Sequence, residues 1–170
     1  MSLAIKLLIL FVALLIAWLL KSLTEYVPCL DKDLERIKKL CCLKPGECFY
    51  DLGCGDGKTV FFLSKQCSVK AVGVERSKPL YLYCRLKKCF GKHDQTAFTC
   101  KNFNQVDFSK ANVIFIYLLP RWTKELIPRL KCDLKPGTRI ISYRFPIANM
   151  KPLEVCQPDD QGYKIYVYQI

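Results

Sequence analysis

The stretch YDLGCGDGK, residues 50–58, combines acidic residues with three closely spaced glycines. An apolar run precedes it and a helix-like segment follows it, so the glycines occupy a turn between a strand and a helix. Glycine at alternate positions lets the backbone of such a turn approach a bound ligand closely. A nucleotide-type ligand is therefore expected at this turn, and the neighbouring acids decide its charge.

The glycine spacing departs from the two commonest phosphate-binding loops. A P-loop needs a glycine five residues before Gly57, and Leu52 stands there. A dinucleotide-binding loop needs its third glycine one residue later than Gly57. Asp51 and Asp56 would also place carboxylates beside a pyrophosphate, which is unfavourable at a helix N-terminus that attracts anions. A positively charged ligand without phosphates fits this turn better.

S-adenosylmethionine is such a ligand, because it carries an ammonium and a sulfonium. Gly53 and Gly55 would let the backbone approach its amino-acid part, and Asp51 at the strand end would face the ammonium. Glu75 ends the apolar stretch AVGVE, 18 residues after Gly57. An acid at this place in doubly wound folds accepts hydrogen bonds from both ribose hydroxyls. S-adenosylmethionine is therefore the predicted cofactor.

Apolar periodicity predicts strands that alternate with helices along the rest of the chain. Such alternation is typical of a parallel sheet covered by helices on both faces. A turn signal at residues 158–162 predicts a closing hairpin. The predicted fold is an α/β, Rossmann-like doubly wound sheet, mostly parallel with an antiparallel C-terminal hairpin. The predicted helices are 31–43, 58–67, 79–90 and 123–130, and the predicted strands are 48–52, 70–75, 97–101, 113–118, 138–143, 153–156 and 163–170.

The N-terminus is strongly apolar. Residues 7–20 carry no charge, and with residues 3–6 the apolar span reaches 18 residues, near the lower limit for crossing a bilayer. The sequence predicts an uncleaved transmembrane anchor at 1–21, with a removed signal or a buried helix as alternatives. A linker and helix at 22–46 and an S-adenosylmethionine-dependent domain at 47–170 follow. Basic residues after the span place that domain in the cytoplasm, or in the mitochondrial matrix of a eukaryote.

Charge and cysteine content limit the possible partners. The chain of 170 residues has a net charge of +12, of which residues 22–170 keep +10. This surface favours an anionic partner, and for a tethered domain the membrane surface is preferred to nucleic acid. Eleven cysteines without a CxxC pattern, and the single histidine His93, give a zinc site little support, so no metal is predicted. The cysteines are expected to be reduced core residues and His93 a surface residue.

These motifs resemble the class I, seven-strand S-adenosylmethionine-dependent methyltransferases, and more narrowly the small protein lysine methyltransferases. That group includes a broad-specificity archaeal enzyme and membrane-anchored mitochondrial enzymes that act on the adenine nucleotide translocase and on the c-ring protein of ATP synthase. The motifs that carry the resemblance are YVP at 26–28, YDLGCGDGK at 50–58, AVGVE at 71–75, NFNQVDFS at 102–109, LKPGTRIIS at 134–142 and RFP at 144–146.

The resemblance also implies roles for single residues. It places Asn102 beside the adenine and Tyr26 in a segment that folds over the cofactor. Asp51, Gly53 and Gly55 would line the methionine end, and Glu75 would hold the ribose. Cys29 stands where relatives often have threonine, and a thiol is a weaker hydrogen-bonding group.

A lysine acceptor must lose its proton before it can accept a methyl group, and an apolar aromatic pocket favours that loss. The end of the fourth strand is the expected place for such a pocket. Tyr117, Trp122 and Phe145 are its predicted walls and Glu125 a possible polar partner. Trp122 and Phe145 are alternatively ordinary core or membrane-facing aromatics, and Glu125 a solvated helix residue. The Asn/Asp-Pro-Pro-Tyr motif of DNA and glutamine methyltransferases is absent, which argues against nucleobase or glutamine substrates but leaves ribose and small-molecule acceptors open.

The sequence therefore favours a membrane-anchored protein-lysine N-methyltransferase that acts on a membrane protein. Two alternatives stay open. The acceptor is a lipid or a small hydrophobic molecule, or the chain is a catalytically silent membrane assembly factor that keeps the fold for binding.

Overall fold

A computed structural model describes residues 2–23, 26–91, 93–158 and 162–170, in which helices and strands alternate. The helices are α1 (Leu3–Leu23), α2 (Leu34–Cys41), α3 (Lys58–Cys67), α4 (Lys78–Phe90) and α5 (Pro120–Asp133). The strands are β1 (Cys48–Leu52), β2 (Lys70–Val74), β3 (Thr96–Thr99), β4 (Val113–Ile116), β5 (Arg139–Tyr143), β6 (Glu154–Cys156) and β7 (Ile165–Gln169). Short 3₁₀ turns at Asp31–Asp33 and Phe103–Gln105 complete the described elements.

All seven strands join one sheet in the order β3-β2-β1-β4-β5-β7-β6. The strands β1 to β5 pair in parallel, whereas β7 is antiparallel to both β5 and β6. The predicted sheet with its antiparallel C-terminal edge is thus confirmed, although residues 159–161 of the predicted turn lie outside the described residues. The strand order reverses between β1 and β4, and ligands of doubly wound sheets bind at the carboxyl ends of the strands at such a point.

Helices cover both faces of the sheet. The central strands are therefore buried on both sides, which explains why their sequences are nearly continuous apolar runs. On one face Ile37 of α2 and Leu63 of α3 are fully buried against the strands. On the other face Leu126 and Leu130 of α5 are fully buried. All four residues of β4 are buried, so the strand has no solvent-facing side.

The helix α5 is longer than predicted at both ends. It begins at Pro120. Proline is favourable at this position, because the backbone N–H that it lacks would have no partner within the helix, and its fixed φ is already helical. It also continues through Pro128, where sequence rules expect a break. Burial of Ile127 and Leu130 on either side of this proline stabilises the helix against that local cost.

The apolar N-terminus forms the helix α1, and its side chains from Leu3 to Ile16 are exposed. Among the described residues, no helix has the combination of length and apolarity that crossing a bilayer requires, so the predicted transmembrane helix is not supported. As a helix, the charge-free run of residues 7–20 would extend about 21 Å, against a hydrocarbon core of roughly 30 Å. Residues 24 and 25 of the predicted linker lie outside the described part of the chain.

Candidate cofactor and acceptor site

The glycine turn connects β1 to α3 at the point where the strand order reverses. Gly53 and Gly55 have φ angles of +78° and +56°, a region that disfavours side chains. A Cβ on Gly55 would also lie 2.4 Å from the ring of Tyr26, and a Cβ on Gly53 would lie 2.9 Å from Leu118. Both glycines are therefore needed for the turn, and Gly55 also for the close approach of Tyr26.

Asp51 is a buried carboxylate at the centre of the site. It is 3% exposed, lies between Gly73 of β2 and Phe115 of β4, and lines the cleft above the turn. It accepts no hydrogen bond from the described residues. Burial, followed by the nearby carboxylates of Glu75 and Asp56, raises the pKa of Asp51 well above its usual range. A cationic group bound in the cleft would relieve this cost.

Glu75 follows β2 and is held in place by the backbone of its neighbours. Its Oε2 accepts a hydrogen bond from the Gly55 amide at 2.9 Å, and its Oε1 accepts one from the Ser77 amide at 2.7 Å. Each carboxylate oxygen retains acceptor capacity, because an ionised carboxylate offers about four lone-pair sites. The two acids thus have different surroundings: Asp51 suits a cation, and Glu75 suits hydroxyl donors.

Residues 26–33, which we call the cover segment, lie against the glycine turn. The hydroxyl of Tyr26 lies near the carboxylate of Asp56, and burial followed by that carboxylate raises the pKa of Tyr26. The ammonium of Lys58 donates to the carbonyl of Cys29 at 3.0 Å and pairs with Asp31 at 3.1 Å. Lys58 thereby fastens the cover segment to the glycine turn.

A buried network ties the other end of the cover segment to the sheet. Asp33 is 1% exposed and accepts hydrogen bonds from the Tyr143 hydroxyl at 2.5 Å, the Tyr163 amide at 3.0 Å and the Arg36 guanidinium at 2.6 Å. Burial opposes ionisation of Asp33, but these donors outweigh burial and lower the pKa of its carboxyl. Cys29 lies beside this network, and burial raises the pKa of its thiol to about 12, so the thiol stays neutral.

Aromatic side chains form part of the cleft wall. Phe115 and Tyr117 line the cleft together with Tyr26, and the ring centres of Tyr117 and Tyr143 are 4.8 Å apart with the rings nearly perpendicular. The guanidinium of Arg144 donates to the Tyr117 hydroxyl at 3.4 Å. Arg144 has a φ of +73°, which is unfavourable for a residue with a side chain. The RFP motif thus contains a strained residue that contacts the cleft wall.

The remaining predicted acceptor residues lie outside the cleft lining around Asp51. Trp122, on the first turn of α5, has the guanidinium of Arg76 at 5.5 Å and that of Arg121 at 5.3 Å from the centre of its ring. Phe145 is half-buried, with the Arg144 guanidinium 5.2 Å from its ring. Glu125 is exposed on α5.

Two further predicted residues lie beyond the glycine turn. Asn102 follows β3, is exposed, and accepts a hydrogen bond from the Asn104 amide at 3.1 Å, which begins a 3₁₀ turn. His93 is half-buried, with its ring 4.5 Å from that of Phe61, rather than fully at the surface.

The comparisons with known proteins identify the family of this chain. A family model described as the ANTKMT methyltransferase domain matches residues 51–154. The chain belongs to this methyltransferase family. The match begins at Asp51 and includes the glycine turn, Glu75 and Tyr117, so the resemblance expected from the motifs is confirmed.

Individual relatives cover most of the chain. A protein-lysine N-methyltransferase of Saccharolobus islandicus is 33% identical over 154 residues, which is 85% of this chain and 92% of that protein. An adenine nucleotide translocase lysine N-methyltransferase of Mus musculus is 28% identical over 80% of this chain but only 59% of its own length. The crystal structure of an RNA methyltransferase from Salinibacter ruber with S-adenosylhomocysteine has a TM-score of 0.79 and 30% identity, covering 85% of this chain and 94% of that one.

Proposed function

We propose that this chain is an S-adenosylmethionine-dependent protein-lysine N-methyltransferase whose substrate is a lysine of a membrane protein. The observation that carries the proposal is Asp51, a buried carboxylate without a hydrogen bond from the described residues, beside a glycine turn and an aromatic cleft. The family, and the protein-lysine N-methyltransferases among its relatives, support the same activity.

The residues of the cleft fit the cofactor by their chemistry. Asp51 would hold the ammonium, and Glu75, already oriented by two backbone amides, would accept hydrogen bonds from the ribose hydroxyls. The cover segment, fastened by Lys58 and Tyr26, would exclude water from the methionine end. When bound, the cofactor supplies an electrophilic methyl group on its sulfonium. The protein mainly has to align this group with the acceptor, because the transfer is an in-line displacement.

The acceptor side favours a neutral amine. Lysine has an ordinary pKa near 10.4 in water, so an acceptor lysine must be deprotonated on entry. Phe115 and Tyr117 supply apolar walls that penalise an ammonium. The Tyr117 hydroxyl, which accepts from Arg144, is a polar group within reach of the cleft for orienting the amine.

Attachment to a membrane is the second part of the proposal. The exposed apolar surface of α1 suits contact with lipid, and the run of basic residues after it suits anionic headgroups. Attachment keeps the cleft close to the bilayer and raises the effective concentration of membrane-protein lysines. We place the domain on the cytoplasmic side, or on the matrix side of a mitochondrial membrane.

The test is methyl transfer from radiolabelled S-adenosylmethionine to membranes, followed by mass spectrometry of the labelled proteins. We expect label on lysine, no transfer by Asp51→Ala, and normal cofactor binding but sharply reduced transfer after deletion of residues 1–21. Label mainly in lipid would favour the alternative acceptor, and label mainly in RNA would favour the substrate class named for the Salinibacter ruber protein. Binding of the cofactor with no transfer to any membrane component would favour a silent assembly factor.

A further inference from the structure

The outward face of α4 is apolar, although this helix lies at the surface. Leu82, Leu86 and Phe90 are 57%, 51% and 87% exposed, and their spacing of four residues places them on one side of the helix. Tyr83 beside them is 50% exposed. A surface helix of a globular domain normally has a polar outward face, so this arrangement marks an interaction surface. We call Leu82, Tyr83, Leu86 and Phe90 the α4 stripe.

The charge around the α4 stripe indicates the kind of partner. The helix contains four basic residues and no acidic residue. Lys78 and Arg85 are exposed on one flank of the stripe, and Lys87 lies on the other, 5.7 Å from the ring of Tyr83. A helix with an apolar stripe and basic flanks suits the interface of an anionic bilayer, where the apolar groups enter the acyl region and the basic groups meet phosphates.

The α4 stripe lies on a helix that α1 contacts. The apolar side chains of α1 as far as Ile16 are exposed as well. Two exposed apolar surfaces on contacting helices bury more area against a bilayer than either surface does alone. A second copy of the chain would cover the stripe too, but the excess of positive charge around it disfavours self-association.

We propose that the α4 stripe lies on an anionic lipid bilayer and that α4 thereby orients the active-site cleft relative to the membrane. The opposite side of α4 contacts the glycine turn directly, since the Cys84 thiol donates to the Gly55 carbonyl at 3.2 Å. A helix fixed between lipid and the cofactor turn holds the cleft at a constant height above the bilayer. The proposal concerns orientation, so it goes beyond attachment through α1.

Tryptophan fluorescence in the full-length chain tests this contact. The two native tryptophans are first replaced in one chain, as Trp18→Phe and Trp122→Phe. Phe90→Trp or Leu153→Trp is then added as the single reporter. Leu153 is the matched control, because it is a large apolar residue that is 67% exposed and precedes the distant edge strand β6. The vesicles contain phosphatidylcholine alone, or with phosphatidylglycerol at about three to one, with or without brominated acyl chains.

We expect the Phe90→Trp emission to shift to shorter wavelength on vesicles with phosphatidylglycerol and to lose intensity when the acyl chains are brominated. The Leu153→Trp emission should change in neither respect. Adding Lys78→Gln and Arg85→Gln should reduce the Phe90→Trp response to that seen with phosphatidylcholine alone. Sedimentation with the vesicles, measured in parallel, reports attachment of the whole chain.

Three results would overturn the proposal. Vesicle-bound protein with an unchanged Phe90→Trp emission would mean that α1 alone contacts lipid. A shifted emission that depends on protein concentration in lipid-free buffer would mean that a second copy covers the α4 stripe. Equal quenching of both reporters, or no sedimentation with vesicles, would mean that no specific lipid contact exists. Methyl transfer is not measured, so these failures are separate from a failure of the proposed activity.

Discussion

Replacement of Asp51 by asparagine separates the two functions that we assign to the cleft acids. Asp51→Asn keeps the shape of the side chain but removes its charge. S-adenosylhomocysteine carries the ammonium that Asp51 would face, whereas 5′-methylthioadenosine has the same nucleoside without the amino-acid part. We therefore expect the substitution to weaken binding of the first ligand only.

The expected magnitude follows from the loss of one charge-assisted hydrogen bond in a buried site. Such a bond contributes about 1.5–3 kcal/mol, which corresponds to a rise in Kd of about 10- to 150-fold. Glu75→Gln serves as the control. It should weaken the binding of both ligands, because both contain the ribose that Glu75 would hold. Isothermal titration measures all four combinations. Equal weakening of both ligands by Asp51→Asn, or no weakening of either, would refute the assigned role.

The same substitution should stabilise the ligand-free protein. The pKa of Asp51 is raised in the folded chain, so its contribution to stability is full below its unfolded pKa and is lost as pH rises through the folded pKa. Asp51→Asn removes that loss at neutral pH. A gain of about 1 kcal/mol, the low end of what an unpaired buried group costs, raises Tm by about 2–4 °C in a chain of this size. Thermal unfolding across pH should show the gain shrinking in acid.

Three further substitutions test the surroundings of the cleft. Lys58→Met should loosen the cover segment, raising amide hydrogen exchange there and weakening cofactor binding by about tenfold; unchanged exchange would show that Lys58 does not fasten it. Tyr143→Phe should cost about 1–3 kcal/mol in urea unfolding, since buried Asp33 loses a donor. Because the pKa of Asp33 is lowered in the folded chain, its stabilisation is lost as pH falls from the unfolded pKa through the folded one, and in Tyr143→Phe this loss should be smaller and complete at a higher pH. Arg144→Gly should leave Tm unchanged or higher, because glycine tolerates the positive φ, and should lower the rate of methyl transfer; a marked fall in Tm would contradict the inferred strain.

Local patterns in the sequence were sufficient to predict the strand, turn and helix around the cofactor site. The predicted bounds of β1 and α3 agree with the structure at both ends, because a buried apolar run, glycines and a helical period follow each other without ambiguity. The acids of the site, Asp51 and Glu75, could be located for the same reason. Each lies at the end of its strand, and the ends of adjacent parallel strands meet at one edge of the sheet.

Other features depended on contacts between residues that are distant in the sequence. Lys58 is 29 residues from Cys29, and Tyr143 is 110 residues from Asp33, so no spacing rule connects either pair. The acceptor residues were predicted by residue type alone. Of these, Tyr117 lines the cleft, whereas the ring of Trp122 on α5 lies near the guanidinium groups of Arg76 and Arg121.

The sequence by itself therefore determined the family, the sheet and the chemical type of the cofactor site, because local spacing and strand ends specify these. Only the tertiary structure decided which side chains cover the cleft, which aromatic groups reach it, and that the outward face of α4 is apolar. Those properties depend on the angle at which helices pack on the sheet and on how a distant segment crosses the glycine turn. Neither can be read from a local sequence pattern, because the residues in contact are far apart in the chain.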